Sequence, residues 1–123
     1  MRLIYGGIPP GQPGDDPAVM LRRLGSAGEL LSSPSTLGLY PMYFGRAPAV
    51  AFGIDTVVLL EGNDPELLTI VRIDAAGKVA ARQDVAMAPA YDPLTYDVVR
   101  RGPDAVVAWM KAGGPLMLAR VLP

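Results

Sequence analysis

Hydrophobic and polar positions change their period several times along this chain. Arg2-Leu3-Ile4-Tyr5 is a short run with β-favouring residues, ended by Gly6-Gly7 and then by Pro9-Pro10-Gly11-Gln12-Pro13-Gly14. That pattern predicts a strand feeding a stiff loop. Asp15 and Asp16 offer N-cap oxygens, Pro17 suits a first helical position, and Met20, Leu21 and Leu24 recur at helical spacing. A short helix over about 17–24 is therefore expected, closed by Gly25, with Arg22 and Arg23 on its solvated side.

From Gly28 to Gly62 short apolar runs are broken by Ser32-Ser33-Pro34, Pro41, Pro48 and Gly53, which predicts short strands. Thr56-Val57-Val58-Leu59-Leu60 is continuously apolar after its first residue, as a strand buried on both faces requires, and is expected to be central. Asn63-Asp64-Pro65-Glu66 has helix-start chemistry and predicts one helical turn. Beyond it, β-branched Thr69-Ile70-Val71-Arg72-Ile73 and the turn-forming Ala75-Ala76-Gly77-Lys78 predict a hairpin of about 69–74 and 78–85.

Tyr96 to Lys111 admits two readings. Pro103 with Asp104 has the chemistry to open a helix, but the spacing around Gly102 also makes a hairpin in which Val107 and Trp109 share a face, and the hairpin is preferred. Gly113-Gly114-Pro115 ends it, leaving Leu116 to Leu122 as an apolar tail that must pack on the body or on a second subunit. No internal repeat of fixed period is evident on this reading.

Composition narrows the classes. The 123 residues are one domain's worth, and with 50% apolar and 19% charged residues the chain has the means to fold. Gly 14 and Pro 13 favour strands and turns over a helical bundle. A net charge of −1 leaves no electrostatic footprint for nucleic acid or an anionic membrane, so neither partner is expected. Zero Cys and zero His exclude thiol nucleophiles and imidazole catalysis, and neither a metal nor another cofactor is expected. No run approaches the roughly 18 apolar residues of a membrane span, and a cytoplasmic location is expected.

Tyr5-Gly6-Gly7-Ile8 at the end of a strand, then Leu39-Tyr40, Gly45-Arg46-Ala47-Pro48-Ala49-Val50 and Asp55-Thr56-Val57-Val58 follow one another in an order that resembles the γ-glutamylcyclotransferase-like family. Asn63-Asp64-Pro65-Glu66-Leu67-Leu68 is similar to that family's helix start, and Tyr96 with the strands after it looks like its closing hairpin, so the resemblance covers most of positions 2–111. It implies an α+β fold, a small, mainly antiparallel β-barrel with short peripheral helices. It further implies a pocket for a γ-glutamyl-type carboxylate or amine, held by the amides of Tyr5, Gly6, Gly7 and Ile8 and flanked by Tyr96. Glycines would let successive amides point at one anion without a Cβ in the way.

The family's chemistry, intramolecular attack of an α-amine on a γ-carbonyl, uses a pocket Glu as general acid and base. Here the matching position is Gly77, and sliding the match to Asp84 puts Met87 there instead. The glutamates present are Glu29, Glu61 and Glu66; Glu66 suits a helix first turn and Glu29 a loop or strand edge, while Glu61, at the end of the central run, either serves a turn with Gly62-Asn63 or points into a pocket as the candidate catalytic carboxylate. Asp74 and Asp84 read as turn or strand-end residues. Tyr40, Tyr43 and Phe44 with Arg46 form an aromatic cluster suited to a core edge or subunit contact, and Tyr91 and Tyr96 either flank a pocket or pack.

Three functions follow: a divergent binding domain for a small carboxylate or amine, an active cyclotransferase with its carboxylate relocated to Glu61, or a non-catalytic interaction domain. Self-association as a homodimer, through exposed strands and the tail, is expected in view of the apolar content of so small a chain.

Overall fold

The run Asp55–Glu61 organises the molecule. Val57, Val58, Leu59 and Leu60 are all buried, so this strand presents apolar side chains to both sides and needs a layer on each. The computed structural model supplies both layers; it describes residues 1–7, 18–39, 47–61, 67–86, 96–111 and 113–121. These residues form three antiparallel sheets and contain no helix. The first sheet runs β1 (Arg2–Gly7), β2 (Ala18–Arg23), β3 (Ser35–Leu39). The middle sheet runs β4 (Ala49–Phe52), β5 (Asp55–Glu61), β6 (Leu67–Ile73), β7 (Val79–Ala86). The third runs β8 (Tyr96–Arg101), β9 (Asp104–Met110), β10 (Leu116–Val121). Each sheet is a meander of strands consecutive in the chain.

This overturns the expected α+β barrel with peripheral helices: the fold is all-β among the described residues, and none of the three sheets closes. The helix expected over 17–24 is strand β2. Three apolar residues at helical spacing carry little information when the residues between them are apolar too. Ala18, Val19, Met20 and Leu21 are all buried, and β2 is bonded to β1 on one side and β3 on the other, a place a strand fills by burying both faces. The helical turn expected at 63–66 lies outside the described residues. Both expected hairpins form, as β6–β7 and β8–β9, and β5 is an interior strand.

The sheets stack in chain order, and the alternation of side chains decides which face meets which. Calling the face turned toward the next sheet the front, the front of the first sheet (Ile4, Val19, Leu21, Leu37) packs on the back of the middle one (Val58, Leu60, Val71, Ile73). The front of the middle sheet (Phe52, Val57, Leu59, Leu68, Ile70) packs on the back of the third (Val98, Val107, Trp109 and neighbours). Hydrogen bonds tie the layers as well: Arg82 of β7 donates to the Leu37 carbonyl at 2.6 Å, and Trp109 Nε1 to the Ala86 carbonyl at 2.9 Å. Gly38 lets the first two layers approach, since a Cβ there would lie 2.8 Å from Leu60 Cδ1. Gly38→Val is therefore expected to lower stability by about 1–3 kcal/mol, the usual cost of overpacking; an unchanged urea midpoint would contradict the close approach.

The stacking exposes a repeat. Gly53-Ile54-Asp55-Thr56-Val57-Val58 and Gly102-Pro103-Asp104-Ala105-Val106-Val107 lie 49 positions apart (Gly53 to Gly102) and occupy the same hairpin of successive sheets. Both glycines have positive φ, 60° and 61°. Arg23-Leu24-Gly25-Ser26-Ala27-Gly28 and Arg72-Ile73-Asp74-Ala75-Ala76-Gly77 are also 49 apart (Arg23 to Arg72) and form matching turns. In each, the last glycine (φ 84° and 83°) donates its amide to the carbonyl three residues back, at 3.2 and 3.0 Å. So β1, β5 and β9 are equivalent, as are β2, β6 and β10. A period of 49 was hidden because the identities lie in turns while the strands share only their apolar alternation.

The apolar tail becomes β10, bonded along β9, so it extends the third sheet within the chain. Its alternation splits it: Met117, Ala119 and Val121 pack on the core, whereas Leu116 and Leu118 stand on the front, 59% and 65% exposed.

Candidate functional site

Of the residues singled out for ligand chemistry, Tyr5, Gly6 and Gly7 lie in β1 of the first sheet, and Tyr96 lies in the core between the middle and third sheets. Gly6 and Gly7 belong to β1 and pair with Val19 and Ala18 in continuous register. The reciprocal 2.8 Å bonds between Met1 and Leu24 set the phase of this ladder. Antiparallel alternation then directs the Gly7 amide at β2 and the Gly6 amide the opposite way. Successive amides pointing to opposite sides cannot converge on one carboxylate, so the expected anion-binding turn is a strand. The ring of Tyr5 lies along Gly7, within 3.3 Å of where a Cβ would stand, beside Met20, and this packing accounts for the glycine. Ile8 lies outside the described residues.

Tyr96 is buried between the middle and third sheets, while Tyr5 sits on the first sheet with the middle sheet intervening, so the two line no common pocket. Glu61 closes β5 opposite Leu68, and its side chain is outside the description. Glu29 is a turn residue whose Oε2 accepts from the Ala27 amide at 3.0 Å, its carboxylate filling the space that Gly25 leaves open. Asp74 and Asp84 are turn and strand residues, as expected: Asp74 Oδ1 accepts from the Lys78 amide at 2.9 Å, and Asp84 Oδ1 from the Thr69 hydroxyl at 2.6 Å. Glu66, Met87, Tyr91 and the cluster of Tyr40, Tyr43, Phe44 and Arg46 lie outside the described residues. Among those described, no three His, Cys, Asp or Glu side chains gather as a metal site would require, and no helix is long and apolar enough to cross a membrane.

A cleft of about 770 Å³ separates the first and middle sheets, with Arg2, Ile4, Ala49 and Thr56 among its walls. Arg2 spends its donors there on structure, giving 2.7 Å to Thr56 Oγ1, 2.6 Å to the Ile54 carbonyl and 2.7 Å to the Asp74 carbonyl. It is a bolt between two layers, and among the described residues no carboxylate side chain lines that cleft.

The repeat itself builds the more informative site. Asp55 and Asp104 are buried at the start of equivalent strands, and each pairs with an arginine on the next strand: Arg72 Nε to Asp55 Oδ2 at 2.6 Å, and Arg120 to Asp104. The register is the same in both, with Val57 opposite Arg72 and Val106 opposite Arg120. Yet the surroundings differ. Arg72 lies over the Phe52 ring at 5.1 Å and is 32% exposed beneath the third sheet, whereas Arg120 is 64% exposed because nothing in the described chain covers the third sheet's front. Loss of Arg72 leaves the Asp55 carboxylate buried without this partner, so Arg72→Met is expected to cost about 1–3 kcal/mol. Chemical denaturation checks this, and an effect below about 0.5 kcal/mol would place the pair among inert surface ion pairs.

The open front carries Val99, Leu116 and Leu118, 56–65% exposed, around the Asp104–Arg120 pair. Their equivalents in the middle sheet are Val50, Leu68 and Ile70, which pack against the third sheet. Sequence inspection flagged the apolar tail but not this equivalence, which needed the hairpin glycines to be matched across 49 positions. Comparison with known proteins finds no matching family model, no matching curated protein and no matching solved structure.

Proposed function

We propose that this chain is a non-catalytic assembly module made of stacked, propeller-type blades. Face-to-face meanders with equivalent strands side by side are the unit from which radial β-propellers are built. The observation that carries this reading is the front of the third sheet. Val99, Leu116 and Leu118 are exposed there at positions whose equivalents one repeat earlier are covered by a neighbouring sheet. Scattered exposed apolar residues are ordinary, but three on one face, around a buried aspartate, mark an interaction surface.

The chain is expected to self-associate in the micromolar range, as read by sedimentation or light scattering across concentration. Leu118→Glu is expected to weaken that association at least tenfold while leaving the circular dichroism unchanged. A chain that stays monomeric at about 100 μM refutes self-assembly as its role.

A further inference from the structure

We infer that the outer edge of β1 takes up an extended peptide of a partner chain, apolar at alternate residues and acidic near its C-terminal end, added to the first sheet as β4 is added to β5. The site lies at the opposite end of the stack from the third sheet's front and does not depend on self-assembly. β1 ends its sheet, with β2 on one side and no strand among the described residues on the other. Arg2, Ile4 and Gly6 turn their amides and carbonyls away from β2, and such a row of donors and acceptors is a template for another strand.

The repeat shows what that strand is. Both equivalents of β1 are paired along this edge, since β4 lies antiparallel on β5 and β8 on β9. Their phase agrees with that of β1. Leu59 donates to the Pro48 carbonyl at 2.9 Å, so β5 turns Val57 and Leu59 toward β4, and these are the equivalents of Arg2 and Ile4. β4 sets Val50 and Phe52 on the front, and alternation sets Ala49 and Ala51 on the back. A peptide seated likewise on β1 lays its own front residues against Ala49 and Ala51, which are exposed in the cleft between the first and middle sheets. One repeat later the same place is covered. Val98, which faces Val107 as Ala49 faces Val58, is 7% exposed and packs on the middle sheet.

Charge selects the acidic end. Arg23 stands opposite Arg2 as Arg72 stands opposite Val57 and Arg120 opposite Val106. Arg72 and Arg120 each hold a buried aspartate, whereas the exposed Arg23 side chain has no carboxylate partner among the described residues. Arg2 bonds only to uncharged groups, the Thr56 hydroxyl and two carbonyls. Two guanidinium groups in a cleft that no described carboxylate lines favour an acidic side chain there. A peptide running antiparallel to β1 brings its C-terminal end to them. Main-chain bonds to a sheet edge supply affinity and the side-chain contacts supply selectivity, as in other strand additions.

A capped, fluorescein-labelled peptide of residues 49–55 is the probe, because it carries the alternation of β4 and the aspartate that the repeat places beside an arginine. Anisotropy titration of the full chain is expected to show saturable binding below about 1 mM, weakened about tenfold or more by Arg23→Glu in the protein and by Asp55→Asn in the peptide. Arg23→Gln serves as the second variant should the charge reversal disturb the fold by circular dichroism. N-methylation of single peptide nitrogens separates strand addition from side-chain docking. A methyl on the Val50 nitrogen, which faces β1 in this setting, is expected to abolish binding; one on the Ala51 nitrogen, which faces away, is expected to change it less than about threefold. Absence of saturable binding, binding indifferent to the Arg23 variants, or equal effects of the two methyl groups each overturns the inference. Self-association is read on the chain without peptide, so either reading can fail while the other stands.

Discussion

Leu68→Ala is expected to lower the unfolding free energy by about 2–5 kcal/mol, and Leu116→Ala by less than about 0.5 kcal/mol at concentrations where the chain is monomeric. The two leucines occupy the same place in the repeat: Leu68 pairs with Glu61 as Leu116 pairs with Met110. Same residue, same strand position and same deletion therefore isolate one variable, the presence of a covering sheet. Leu68 is fully buried against the third sheet, so truncation forfeits its transfer free energy and leaves a cavity. Leu116 is 59% exposed, so truncation removes side chain that water already touches. Urea melts of the two variants, run dilute, give the comparison; equal effects would mean that the third sheet's front is covered within the chain and would remove the basis for assembly.

Trp109→Ala is expected to cost about 3–5 kcal/mol, among the largest effects available to one substitution here. The indole is buried between the middle and third sheets and its Nε1 holds the Ala86 carbonyl of β7. It therefore acts as both filler and tie between layers. Trp109→Phe separates the two roles, since the ring keeps most of the packing and loses the hydrogen bond, with an expected cost nearer 1–2 kcal/mol. Because each sheet leans only on its neighbours, the damage should be local. Hydrogen exchange is expected to accelerate in β8–β10 more than in β1–β3, and a uniform acceleration would argue that the three sheets unfold as one unit.

The sequence was legible where a strand and its turn agreed. Thr69 to Lys78 combines β-branched residues with a glycine whose φ is 83°, and it forms the expected hairpin; so does the stretch around Gly102. It misled where a short apolar run followed a competing helix-cap signal. Ala18 to Leu21 satisfies helical and strand patterns alike, and the N-cap chemistry of Asp15 and Asp16 tipped the reading toward a helix that the bonding of β1 and β3 to either side does not permit. The glycines of β1 carry an ambiguity of the same kind. Tyr5-Gly6-Gly7 was read as a turn because glycine permits one, but here the second glycine makes room for the Tyr5 ring within a strand.

By itself the sequence determined a β-rich chain without imidazole or thiol chemistry, with a doubly buried strand at 56–60 and glycine-set hairpins after it. These are local properties, carried by alternation, turn geometry and residue inventory. Only the tertiary structure decided that the strands form three open meanders rather than a barrel, that Asp55 with Arg72 recurs as Asp104 with Arg120, and that Leu116 and Leu118 lack the cover that Leu68 and Ile70 have. The physical reason is that alternation tells a strand to have two faces but does not say which neighbour each will meet. That choice is made by the stacking of whole sheets, through contacts between residues some fifty positions apart.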